Sequence, residues 1–174
     1  MKLLGFNNVL CLGVNYGDVE YYILGTVIRH HSTNFFVKNE NKMSEVGQKE
    51  SNYLWSAIKN IDEFKDNPMY QYDLILSPPK NDFEKSNRDL YYKACELSFI
   101  NKCTLVTYKT ISTTNSWVSN IEINIDEYYN KKVISLENYE SLKNNIKYID
   151  NNLKQFNFNG GNHIESFLIE QVKY

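Results

Sequence analysis

The sequence is short of cysteine and has no pattern for pairing it. Three Cys in 174 residues, an odd number with no C-x-x-C, exclude a disulfide scaffold and a zinc knuckle. A reducing compartment, the cytoplasm, is the expected location. No run approaches the roughly 20 apolar residues that a bilayer-spanning helix needs. The opening Met1-Lys2-Leu3-Leu4-Gly5 is cut off by Asn7 and Asn8 before it could form a signal core. No membrane association is expected. An excess of one charge sign is missing too: the formal net charge is −2, so no overall basic field draws in nucleic acid. G-x-G-x-x-G and the P-loop are absent. His30 and His31 point apart in either strand or helix, and His163 has no companion, so no metal is expected. No Ser/His/Asp or Cys/His triad assembles. Without a repeat, linker or low-complexity tract, residues 1–174 read as one domain.

What is present is a stretch with the order strand, turn, helix, strand. Tyr72-Asp73-Leu74-Ile75-Leu76 is a short apolar run stopped by Ser77-Pro78-Pro79, whose prolines lack the N–H that a central ladder needs. Arg88 to Ile100 carries Leu90, Ala94 and Leu97 at helical spacing, with Tyr91 beside them. Cys103 to Tyr108 is the next β-rich run, and Lys109 stands at its end. Strand, crossover helix and strand make a parallel βαβ unit. Ligands of open α/β sheets sit outside the carboxyl ends of the strands. Ser77-Pro78-Pro79 and Lys109 are therefore expected side by side.

The rest extends this pattern. Val9-Leu10-Cys11-Leu12 reads as a strand buried on both faces, ending at Gly13-Val14-Asn15-Tyr16-Gly17. Asp18 caps a helix through about Gly25. Thr33 to Val37 is a second strand. Tyr53 to Ile58 is a third strand or a helical turn. Ile121, Ile123 and Ile125 alternate with polar residues, as in a strand wet on one side. Val133-Ile134-Ser135 reads as another strand, and Leu142, Ile146, Ile149 and Leu153 as a helix starting near Leu136. Asn159-Gly160-Gly161-Asn162 is a turn between Phe156-Asn157-Phe158 and Ser166-Phe167-Leu168-Ile169, hence an antiparallel hairpin. The expected class is α/β: a Rossmann-like, mostly parallel sheet with helices on both faces and an antiparallel C-terminal hairpin. That is the architecture of S-adenosylmethionine-dependent methyltransferases.

The candidate site residues follow from this arrangement. Gly13, Asn15 and Gly17 form the first strand–helix turn, where bare backbone either approaches a nucleotide or simply turns tightly. Glu40, after the second strand, could accept hydrogen bonds from a ribose diol. Asn60 and Asp62 could read an adenine amino group, or shape a turn. Ser77 and Pro78 could hold a target nitrogen, or stop a strand. Lys109, if desolvated, could deprotonate a hydroxyl. Glu165, at the start of the last strand, could orient that lysine.

Three segments, Tyr72–Ser77, Leu105–Thr110 and Glu165–Ile169, resemble motifs of viral RNA cap 2′-O-methyltransferases of the nidovirus type. Phe35-Phe36-Val37 with Asn39-Glu40 is similar to their second strand. The resemblance implies S-adenosylmethionine as cofactor, RNA as substrate and a viral protein. It makes Lys109 the base and Glu165 its partner in a degenerate tetrad, since Pro78 stands at the aspartate position and the first lysine has no counterpart. Two alternatives stand beside it. One is an inactive methyltransferase-fold scaffold that binds a partner protein. The other is an amino-methyltransferase using Ser77-Pro78-Pro79.

Overall fold

The computed structural model describes residues 2–15, 17–39, 61–63, 71–137, 153–154 and 158–171. A 3₁₀ turn, Leu3–Gly5, leads into β1 (Asn8–Gly13) and α1 (Asp18–Arg29). β2 (Asn34–Asn39), β3 (Ile61–Glu63), β4 (Leu74–Ser77), α2 (Lys85–Asn101) and β5 (Thr104–Tyr108) follow. β6 (Ile121–Asn124), α3 (Asp126–Glu137), β7 (Phe158–Asn159) and β8 (Asn162–Gln171) complete the described elements. The fold class is α/β with a mixed sheet.

The sheet order is β3-β2-β1-β4-β5-β8-β6, with β7 paired to β8. β1 to β5 are mutually parallel, in the register Cys11↔Leu76 and Leu76↔Val106 across the centre. β8 runs antiparallel between β5 and β6. Val9 and Cys11 share one core with α1 and α3, and Leu10 and Leu12 share the other with α2. That alternation gives two cores, one on each face, and explains why the central strands are apolar without a break. β6 is an edge strand with Ile123 buried and Glu122 and Asn124 exposed, as its alternating pattern predicts.

Several boundaries differ from expectation. α1 runs past Gly25 to Arg29, because Val19, Ile23, Leu24 and Val27 keep one face buried along its length. Val133-Ile134-Ser135 is helical, not extended: Tyr129, Lys132 and Leu136 form the buried side of α3. The β-branched pair favours a strand locally, but the helical face buries more. Glu165 lies inside β8 rather than before it. The readings for 53–58 and for most of the helix from Leu136 to Leu153 lie outside the described residues. No helix among the described residues is long and apolar enough to cross a membrane.

Candidate functional site

β1 and β4 are neighbours in the sheet, yet their crossovers leave in opposite directions, so a crevice opens at their carboxyl ends. The turn after β1 is built for close quarters. Gly17, at the N-cap of α1, has φ +88°, a left-handed conformation that side chains resist. Asp18 follows it. One carboxylate oxygen of Asp18, Oδ2, accepts the backbone N–H groups of Val14 at 3.1 Å and Asn15 at 2.7 Å, folding the turn onto the helix start.

The opposite lip is the loop after β4, where Asp82 is almost fully buried. Its Oδ1 accepts the Glu84 N–H at 2.8 Å, and its Oδ2 accepts the Thr110 hydroxyl. The Thr110 amide donates to Thr113 Oγ1 at 2.7 Å, and the Phe83 amide to the Ser112 carbonyl at 2.9 Å. Arg88 donates to the carbonyls of Asp82 and Phe83 at 2.6 and 2.7 Å. The loops after β4 and β5 are thereby zipped together, and Asp82 is fixed between them.

Asp18 feels its burial and the neighbouring acid. Burial pushes the Asp18 carboxyl above the usual carboxylate range, and the charge of Asp82 adds to this against the two amide bonds. Tyr22, one turn along α1, lies in the same field. Burial first, then Asp18, holds its phenol well above the ordinary tyrosine value. Asp18, Asp82 and Tyr22 do not stand out as site residues in the sequence. Asp18 reads there as a cap, and no motif marks Tyr22 or Asp82. The order of β1, β4 and β5 is the signal that could have found them.

The sequence-derived candidates are placed as follows. Gly13, Asn15, Gly17, Ser77, Pro78 and Lys109 come to one edge, at the ends of β1, β4 and β5. Ser77 is fully buried and donates to the Pro78 carbonyl at 2.9 Å. The Lys109 amide donates to the Ser166 carbonyl at 3.1 Å, so its backbone adjoins β8. The Glu165 side chain is engaged elsewhere: it meets Lys132 Nζ at 2.7 Å and the amides of Gly25 and Thr26 at 3.0 and 2.7 Å. Asp62 sits within β3 opposite Phe36. Glu40 and Asn60 lie outside the described residues.

Among the described residues no three His, Cys, Asp or Glu side chains are grouped to hold a metal ion. The rim offers two carboxylates with amides and hydroxyls, a poor donor set for a transition metal. A separate open cleft of about 500 Å³ is lined by Arg29, His31, Asn124, Asp126, Glu127 and Tyr128. It belongs to the α1 C-terminus and the α3 N-terminus, away from the switch point.

No protein-family model and no curated protein matches the sequence. Solved structures do match the fold. The 4-carboxy-2-hydroxymuconate hydratase GalB from Pseudomonas putida superposes with a TM-score of 0.72 at 11% identity, over 97% of this chain and 98% of that one. A conserved protein from Thermus thermophilus, TT1542, gives 0.68 at 12% identity, over 97% of both chains. A deacetylase of teicoplanin biosynthesis, solved with teicoplanin, gives 0.63 at 8% identity, over 95% of this chain and 100% of that one. These likenesses overturn the methyltransferase resemblance, and with it S-adenosylmethionine, RNA methylation and a viral origin. The physical reason is that the quoted segments are strand cores. Any sheet covered on both faces needs such apolar runs, so they carry no family information. What the chain shares with the hydratase and the deacetylase is an architecture whose switch point here carries Asp18 after β1 and Asp82 after β4.

Proposed function

We propose that the protein is a water-using enzyme of hydrolase or hydratase type, acting at the crevice between Asp18 and Asp82. The observation that carries this reading is the place of Asp18, half-buried on the turn after β1 at the switch point, where burial raises its carboxyl, with Asp82 fixed in the loop after β4. A carboxylate with a raised pKa is a stronger base than one in water, and it holds its proton closer to neutral pH. With an amide substrate, Asp18 takes a proton from water as the water oxygen bonds to the carbonyl carbon. The carbonyl electron pair moves onto its oxygen. When the C–N bond breaks, that pair re-forms the carbonyl and Asp18 returns the proton to the leaving nitrogen. Asp82 is held in place by the Thr110 hydroxyl and the Glu84 amide.

The two activity names among the similar structures, a hydratase and a deacetylase, frame the screen. Acetate release from N-acetylated amino sugars, and water addition to unsaturated dicarboxylic acids, are followed by proton NMR. An activity that falls on the order of 10³-fold in Asp18→Asn supports the reading. An activity that Asp18→Asn leaves intact refutes it. A single domain in the cytoplasm accompanies the proposal, supported by three cysteines of which none is disulfide-bonded.

A further inference from the structure

The cleft between the end of α1 and the start of α3 has no part in the reading of Asp18 and Asp82. Its volume, about 500 Å³, is in the range of small-molecule sites. Its walls are set by two helix ends. Arg29 stands in the last turn of α1, and Asp126 and Glu127 in the first turn of α3. The Asp126 amide donates to Asn124 Oδ1 at 2.9 Å and the Tyr128 amide to the Ile125 carbonyl at 2.8 Å, which starts α3 at that point. The Arg29 guanidinium donates to the Asn124 carbonyl, so the end of α1 is tied to the end of β6.

The charges on these walls are unequally committed. Asp126 is spent: its Oδ2 accepts the Asn124 side-chain amide at 3.0 Å, and its Oδ1 meets the His163 amide at 2.7 Å and the His163 ring at 2.9 Å. Arg29 gives one N–H group to Asn124, and the rest of its planar fork has no partner among the described residues. The exposed Glu127 carboxylate has none there either. The half-buried Tyr128 ring lines the same cleft. A ligand of one charge meets a like charge here: an anion on Arg29 faces the acids, and a cation on Glu127 faces Arg29. A molecule carrying both charges suits both walls, and a carboxylate matches the guanidinium fork with two parallel hydrogen bonds. We propose that this cleft binds a small zwitterion, its carboxylate on Arg29 and its ammonium on Glu127, the chemistry of a free amino acid or of the two ends of a short peptide.

The test titrates L-alanine and L-alanyl-L-alanine into the isotope-labelled full chain and follows the Glu127 and Tyr128 amides by NMR. At least one of the two is expected to give saturable shifts, and the tighter one identifies the source. Propionate, which lacks the ammonium, and ethylamine, which lacks the carboxylate, should bind about tenfold more weakly or worse. Glu127→Gln should weaken the zwitterion about tenfold with little change in thermal midpoint, because that carboxylate is exposed. Arg29→Gln should weaken it as well, but this variant also loses the bond to Asn124, so Glu127→Gln decides. No saturable shift with either zwitterion, propionate or ethylamine binding as tightly, or unchanged binding in Glu127→Gln overturns the proposal.

Discussion

Lys132 on α3 and Glu165 on β8 meet at 2.7 Å with both side chains wholly buried. The same carboxylate accepts two amides of α1, and the Lys132 ammonium also donates to the Tyr22 carbonyl at 3.4 Å. Three elements are thus joined at one charged point inside an apolar core. Two buried charges cost several kcal/mol to desolvate and are held by their mutual attraction and these hydrogen bonds. Breaking the pair from one side strands the other charge. Lys132→Met is expected to destabilise the fold by about 3–5 kcal/mol in urea unfolding. The double variant Lys132→Met with Glu165→Gln should recover much of that loss, because a neutral amide can still meet helix partners.

At Gly25, α1 passes close against this pair. A Cβ there would lie 2.7 Å from Ile125 Cδ1 and 3.0 Å from Glu165 Oε1. The isoleucine tip can move, but the carboxylate is held by three donors. Gly25→Ala is expected to cost about 1–3 kcal/mol despite the better helix propensity of alanine. Adding Ile125→Val should return part of it in the same unfolding assay.

Asp126 supplies a pH dependence of defined sign. The amide of His163 bonds its Oδ1 at 2.7 Å and the His163 ring approaches at 2.9 Å. Those bonds, the amide first, hold its carboxyl below the usual range. The unfolded chain then binds a proton more readily than the folded one. The contribution is therefore complete above the ordinary carboxylate value and disappears as pH falls through the lower folded value. Thermal midpoints of wild type and Asp126→Asn, measured from neutral to strongly acidic pH, should converge at the acid end.

These relationships mark the limit of what the sequence discloses. Val9–Leu12, Leu74–Leu76 and Leu105–Tyr108 announce a doubly covered parallel sheet, since nothing charged interrupts them. The hairpin through Gly160 and Gly161 is equally plain, because both adopt positive φ. α3 is hidden because its inward face carries Lys132, a residue that reads as solvent-exposed until its partner is known. The pairing of Glu165 with Lys109 fails for the same reason: the actual partner of Glu165 sits in a segment that reads as a strand. Asp82 is unremarkable in the sequence, and its partner Thr110 lies 28 residues on, reached when two loops close.

The influence of Asp82 on Asp18 is tested most directly by following the Asp18 carboxyl carbon by NMR through a pH titration, in wild type and in Asp82→Asn. With its pKa raised in the fold, Asp18 stabilises the protein most at acid pH and loses that contribution as pH climbs through its folded value. The account predicts a wild-type midpoint above the ordinary aspartate value that moves down when Asp82 loses its charge. An ordinary midpoint, or one indifferent to Asp82→Asn, would contradict it.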